Sequence, residues 1–282
     1  MSGLLGVPLG ALGSGRARYG RAMRLFATGK LSSAQLEAYR VAAADDLRPP
    51  LEVLEDRKLP VPDDPPATAE DLVRALVEEA DRYLAGLPGP GVTEVRTLIA
   101  RWRDGPVRLP VVSPNAVVDR YLTSALEAVP GQPALTGAIA AAAPHLRWIT
   151  YDGYPPQEVG TDFIRSHAFC SLIGEAASIP AQDFDLGIFL IAPHVLYRDH
   201  AHPAPELYAP LTGPHGWRFG PDRPLLQKPA HRPVWNPAHQ PHLTKVGPVP
   251  FLCLFGWTRD VWLPAHMIPA SDWPELERLR LG

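Results

Sequence analysis

An α+β fold, mostly β, in which a helical N-terminal region precedes an antiparallel sandwich or barrel, is what this sequence predicts. Three observations lead there. Up to about Leu146 the apolar residues recur at three- and four-residue spacing, the period of a helix with one buried face. After about Arg147 the pattern changes to short apolar runs, RWITYD, FIRSHAFCSLIG, FDLGIFLIAP, ELYAPLTG, PVWN and PFLCLFGWT, set between Pro, Gly and Asp turns. Twelve prolines fall between Pro203 and Pro250, a density no helix survives, because each lacks a backbone donor and clashes with the preceding turn.

In chain order, residues 1–30 read as a poorly defined extension. Its Arg-rich GRARYGRAMRLF reads more readily as a solvated helix end than as a docking arm. Residues 31–146 form a helical region. SSAQLEAYRVAAADDL is its first helix, and TAEDLVRALVEEADRYLAG the next, with Leu72, Leu76, Ala80, Tyr83 and Leu84 on one face. Thr68, three residues before Asp71, resembles a capping box, and Gly86 can close that helix. VTEVRTLIARWRDG follows, then NAVVDRYLTSALEAV, bounded by Pro114 and Pro130. Residues 147–268 hold the strands, and 269–282 a short helix or tail. The sequence has no repeat of fixed period and no low-complexity tract.

Composition narrows the function. At 282 residues and 46% apolar content the chain can bury a full core. A net charge of −3 offers no basic excess for nucleic acid or an anionic membrane. No run approaches the length of a membrane span, and the opening MSGLLGVPLGALGSG lacks the basic flank of a secretory signal. A small-molecule partner and a cytoplasmic location are the expectations. Cys170 and Cys253 each sit in an apolar run and read as buried reduced thiols.

Chemistry concentrates in one stretch, YRDHAHPAPELY. Seven of the ten histidines lie between His194 and His242, where an even spread would put roughly two, so a local cause is required. His200, His202, Glu206 and Tyr208 share even parity, which in extended chain places them on one face unless the Pro203-Ala204-Pro205 bend breaks it. Two imidazoles with a carboxylate suit Zn, Fe, Mn, Co or Ni, and three protein ligands with open positions mark a catalytic site. A third imidazole should come from a neighbouring strand, either His239 or His242. His242 is favoured because a strand toward Lys245 begins there. His194, His215 and His231 read as loop or packing residues, and His145 and His167 carry no signal.

The pattern H-x-H-x3-E-x6-G, filled by His200, His202, Glu206 and Gly213, resembles the first cupin motif, and His242 resembles the lone histidine of the second. Two positions depart from it: His194 stands where the first motif has a glycine, and His239 where the second has one. The finer resemblance is to the cupin-type dimethylsulfoniopropionate (DMSP) lyases, through Y-x2-H-x-H-x3-E-x-Y at Tyr197 to Tyr208 and a tryptophan, Trp257, 15 residues after His242. It covers roughly residues 95 to 268.

The resemblance implies a cupin (double-stranded β-helix, jelly-roll-like barrel) that binds one divalent transition metal through His200, His202, Glu206 and His242. It implies β-elimination of dimethyl sulfide, with Tyr208 as general base, Tyr197 orienting the substrate or assisting, and Trp257, Tyr197 and Trp262 around the sulfonium. A phenol has a pKa of about 10, so a tyrosine base needs a nearby cation. Cupins often pair through their sheets, which admits a homodimer. Two other classes stay open: a cupin dioxygenase or isomerase acting on another small carboxylate, and a non-enzymatic binding cupin.

Overall fold

The computed structural model describes residues 9–10, 14–63, 67–151 and 153–282. The remainder of the expected extension, residues 1–8 and 11–13, lies outside the described residues. The chain divides into two compact units, Met1–Glu79 with Gly131–Ala143, and Ala80–Pro130 with Pro144–Gly282.

The first unit is helical. It contains α1 (Ser14–Ala27), α2 (Ser33–Ala42), α3 (Pro50–Asp56), the start of α4 (Ala69–Ala85), and, after α5 (Val92–Trp102) and α6 (Ala116–Glu127) of the second unit, α7 (Pro133–Ala142). Thr68 and Asp71 form the reciprocal capping box: the Asp71 amide donates to Thr68 Oγ1 at 3.2 Å, and the Thr68 amide to Asp71 Oδ2 at 3.0 Å. Ala22, Leu25, Ala38, Tyr39, Val53 and Leu54 join α1, α2 and α3 in one core. GRARYGRAMRLF is therefore packed, not a solvated end. Arg18 and Arg21 are buried, Arg18 donating to the Asp46 carbonyl at 3.2 Å and Arg21 pairing with Asp71 at 2.5 Å.

The second unit carries the sheets. Short helices α8 (Pro156–Val159) and α9 (Thr161–Arg165) lead into β1 (His167–Gly174), β2 (Ile179–Pro180), β3 (Asp185–Ile191), β4 (Leu196–Ala201), β5 (Glu206–Pro210), β6 (His215–Arg218), β7 (Leu226–Lys228), β8 (Val234–Asn236), β9 (His242–Lys245), β10 (Phe251–Trp257) and β11 (His266–Met267), closed by α10 (Trp273–Arg278). Two sheets form, in the orders β2-β1-β3-β10-β5-β8 and β11-β4-β9-β6-β7. Phe189, Tyr197, Tyr208, Trp217, Phe251 and Phe255, drawn from both, share one buried core. This is the cupin double-stranded β-helix, built as two sheets with a helical region before them. α6 packs on β1, β3 and β10.

Two strand assignments change. RWITYD reduces to a single bridge, Ile149 to Phe169, because the Tyr151 amide donates at 3.0 Å to His167 Nε2 rather than to a strand partner. In FIRSHAFCSLIG the first three residues end α9, and β1 starts at His167. Both cysteines are free and buried.

Candidate active site

The site lies between the sheets. β4 and β9 pair with His200 directly opposite His242, so both rings leave the same face, their centroids 4.0 Å apart. His202 follows β4, at 5.0 Å from His242 and 5.9 Å from His200. Glu206 opens β5 in the other sheet. Even parity alone would turn Tyr197 away from His200; a register shift between them lets both line the cavity, with their rings stacked at 3.9 Å. His239 takes no part in the cluster: it sits at φ 61 in a turn, its amide bonded to the His202 carbonyl.

Hydrogen bonding determines the form of each ring. Nδ1 of His200, His202 and His242 meets a backbone carbonyl, of Arg198 at 2.9 Å, Ala204 at 2.7 Å and Gln240 at 2.8 Å. A carbonyl can only accept, so each Nδ1 carries a proton, and a ring that is neutral presents an Nε2 lone pair. The three rings can converge on one ion, and all are buried. Glu206 Oε2 lies 3.2 Å from Nε2 of His202 and 3.3 Å from Nε2 of His242, and the latter atom has no hydrogen-bond partner. With the rings neutral, acceptors face acceptors, an arrangement that a bound cation resolves. At His200 burial and then the neighbouring imidazoles hold the pKa well below the usual histidine value, so that ring is poorly suited to a proton and free to bind an ion. The donor set fits a divalent transition metal.

Glu206 is anchored from two further sides. Trp257 Nε1 donates to Oε1 at 2.7 Å and Asn236 Nδ2 to Oε2 at 3.3 Å. Burial alone would raise its pKa; positive charge at His202 and His242 holds it well below the usual carboxylate range. Tyr208, two residues on along β5, is buried; burial first, and then the Glu206 carboxylate, push its phenol well above 10. The Tyr197 and Tyr154 hydroxyls are 3.1 Å apart.

Around these groups lies a cavity of about 340 Å³, walled by Phe163, Phe169, Phe189 and Phe255. Of the residues to which the resemblance gives a role, all but His242 line it; His242 is buried against His200. Trp257 stacks obliquely on His202 at 4.4 Å, while Trp262, 63% exposed, belongs to the mouth. Tyr154, His167 and Asp185 also line the cavity and were not anticipated. No motif holds them; sheet pairing brings in His167 and Asp185, and Tyr154 comes from the segment before α8.

Fold and site together define a cupin with a metal-competent histidine cluster and two buried tyrosines. Comparison with known proteins narrows this class. The dimethylsulfoniopropionate lyase family model matches residues 96–253, more than half of the chain, and the chain belongs to that family. The dimethylsulfoniopropionate lyase DddQ of Ruegeria pomeroyi is 29% identical over 173 residues, 61% of this chain and 79% of that protein. The crystal structure of the same bacterium's DMSP lyase DddQ superposes with a TM-score of 0.54 at 23% identity, covering 71% of this chain and 98% of the other. A chain from the crystal structures of the DMSP lyases RdDddP and RnDddQII gives 0.55 at 22%, covering 72% and 100%. At such identities the two structures establish the shared fold. Among the described residues no helix is long and apolar enough to cross a membrane.

Proposed function

We propose that this protein cleaves DMSP by β-elimination. The carrying observation is the set of three imidazoles whose Nδ1 atoms are tied to backbone carbonyls, so that their Nε2 lone pairs and Glu206 meet beside two buried tyrosines. The base takes the proton α to the carboxylate, the electron pair forms the Cα–Cβ double bond, and the Cβ–S bond breaks. Dimethyl sulfide, acrylate and one proton are the products.

His200, His202, Glu206 and His242 would hold the metal. When bound there, a divalent ion supplies positive charge that stabilises the carboxylate as charge builds on it and that lowers the pKa of a neighbouring phenol. Tyr208 is assigned as the base. It lies two residues from Glu206 on the same strand, and a phenolate there requires a cation, because burial and the carboxylate both oppose it. Tyr197, braced by Tyr154 and stacked on His200, orients the substrate. The phenylalanine walls exclude water, which strengthens attraction between Trp257 and a sulfonium, about 1 to 2 kcal/mol when desolvated.

The test is headspace detection of dimethyl sulfide from purified protein and DMSP, with Mn, Fe, Co, Ni or Zn restored after chelation. Metal-dependent release is expected, with Tyr208→Phe retaining metal but losing about 10²-fold or more in turnover. Normal turnover in that variant removes Tyr208 as the base. Absence of release from every metal-loaded form refutes the lyase reading.

A further inference from the structure

Glu206 has a counterpart on the cavity wall. The registers of β8, β5, β10 and β3 align Asn236, Glu206, Trp257 and Asp185 in one row across the sheet. Directly paired antiparallel residues point to the same face, roughly 5 Å apart. Trp257 therefore stands between two carboxylates on the cavity side.

The two acids are held very differently. Glu206 is surrounded by His202, His242, Asn236 and Trp257. Asp185 receives one hydrogen bond, from Ser171 Oγ to Oδ2 at 3.0 Å, while its Oδ1 is buried without a partner. No lysine or arginine among the described residues lines the cavity. Room for the carboxyl is made by Gly174 on β1, where a Cβ would come within 3.0 Å of Oδ1 and 3.3 Å of Cγ. A carboxylate buried without a countercharge is costly and tends to hold its proton instead. Burial does raise the Asp185 pKa, to about 7, against the Ser171 hydrogen bond. Such a group gains most from an arriving cation.

We propose that Asp185 is the counter-charge of a cation subsite, receiving the sulfonium end of a zwitterionic substrate whose carboxylate lies toward the histidine cluster. This rests on reading the cavity as a DMSP site, and it names the group that selects the charge of the substrate's tail. Two cross-strand steps separate Asp185 from Glu206, on the order of 10 Å between backbones. The Asp185 carboxyl leans toward Ser171 and Gly174 of β1, which leaves the space over Trp257, between the two acids, for the substrate.

The inference is tested by calorimetric titration of metal-loaded protein with 3-(trimethylammonio)propanoate and with 4,4-dimethylpentanoate, which share a shape and differ in tail charge. The wild type should bind the cationic ligand at least tenfold more tightly. Asp185→Asn is nearly isosteric with the protonated acid. It should lose most of that preference while leaving the neutral ligand's affinity unchanged, and should raise KM for DMSP about tenfold with a smaller change in kcat. Equal wild-type affinity for the two ligands overturns the proposal without any variant. So does an Asp185→Asn protein that keeps the preference, or that weakens both ligands alike as a general structural lesion would. Asp185→Ser gives the same reading should the asparagine variant not fold. An Asp185-dependent preference without dimethyl sulfide release keeps this inference and refutes the lyase reading; release with a KM indifferent to Asp185 does the reverse.

Discussion

At His202 a single hydrogen bond to the Ala204 carbonyl decides what the ring can do, since it commits the proton to Nδ1 and leaves Nε2 for the cavity. Its partner Glu206 is oriented in turn by the Trp257 indole N–H at 2.7 Å. Groups that orient a ligand typically matter about 10- to 100-fold in metal affinity. Trp257→Phe, which keeps an aromatic ring and removes the donor, should therefore weaken binding of an added divalent ion by that factor, as measured by competition with a chelator. Unchanged affinity would mean that Asn236 and the histidines hold Glu206 without help.

At the scale of elements, β4 does two things at once. Its shifted register sends Tyr197 and His200 to the cavity, while Arg198 and Asp199 serve the other side. Arg198 pairs with Glu277 at 2.6 Å, and fully buried Asp199 binds the buried Arg218 guanidinium and accepts from Trp273 Nε1 at 2.8 Å. Both ties lock α10 to the back of the strand that carries the ligands. Removing one member of a buried ion pair strands the other, at about 3 to 5 kcal/mol. Asp199→Ala should cost about 3 kcal/mol, near the lower end because Asp272 still pairs with Arg218. Urea unfolding should show this as a lower midpoint at unchanged slope. A loss below about 1 kcal/mol would show that α10 holds without the pair.

For the whole molecule the buried titratable groups set the response to pH. Burial depresses His167 to about 4 and His215 to about 3, so both stay neutral in the folded protein while the unfolded chain takes up protons near 6.5. The unfolded state then binds more protons, and stability falls as pH drops from 6.5 toward 4. Asp185 works in the opposite sense. Its folded pKa, about 7, exceeds its unfolded value, so its contribution is complete below 3.8 and is lost as pH rises toward 7. Stability measured by urea unfolding between pH 7 and 4.5 should decline on acidification. Asp185→Asn should steepen the decline by about 1.4 kcal/mol per pH unit, one proton's worth. An unaltered slope would place the Asp185 carboxyl in an ordinary, ionised state.

Much of this protein was legible in the sequence, because the properties concerned are local. Helical periodicity located α2, α4, α5 and α6; short apolar runs located β1, β3, β5 and β10; and the spacing of His200, His202 and Glu206 marked the site. Periodicity was silent where a segment has no polar face, as in PALTGAIAAA of α7, and misleading where arginines are buried by partners distant in sequence, as Arg18 and Arg21 are in α1. The choice between His239 and His242, separated by three residues, rests on the pairing of β9 with β4. His167 and Asp185 enter the cavity through the same kind of long-range pairing. Sequence determines which faces are apolar and which residues can bind a metal or move a proton. Which residues meet is decided by strand register, a property of two strands that neither segment carries alone.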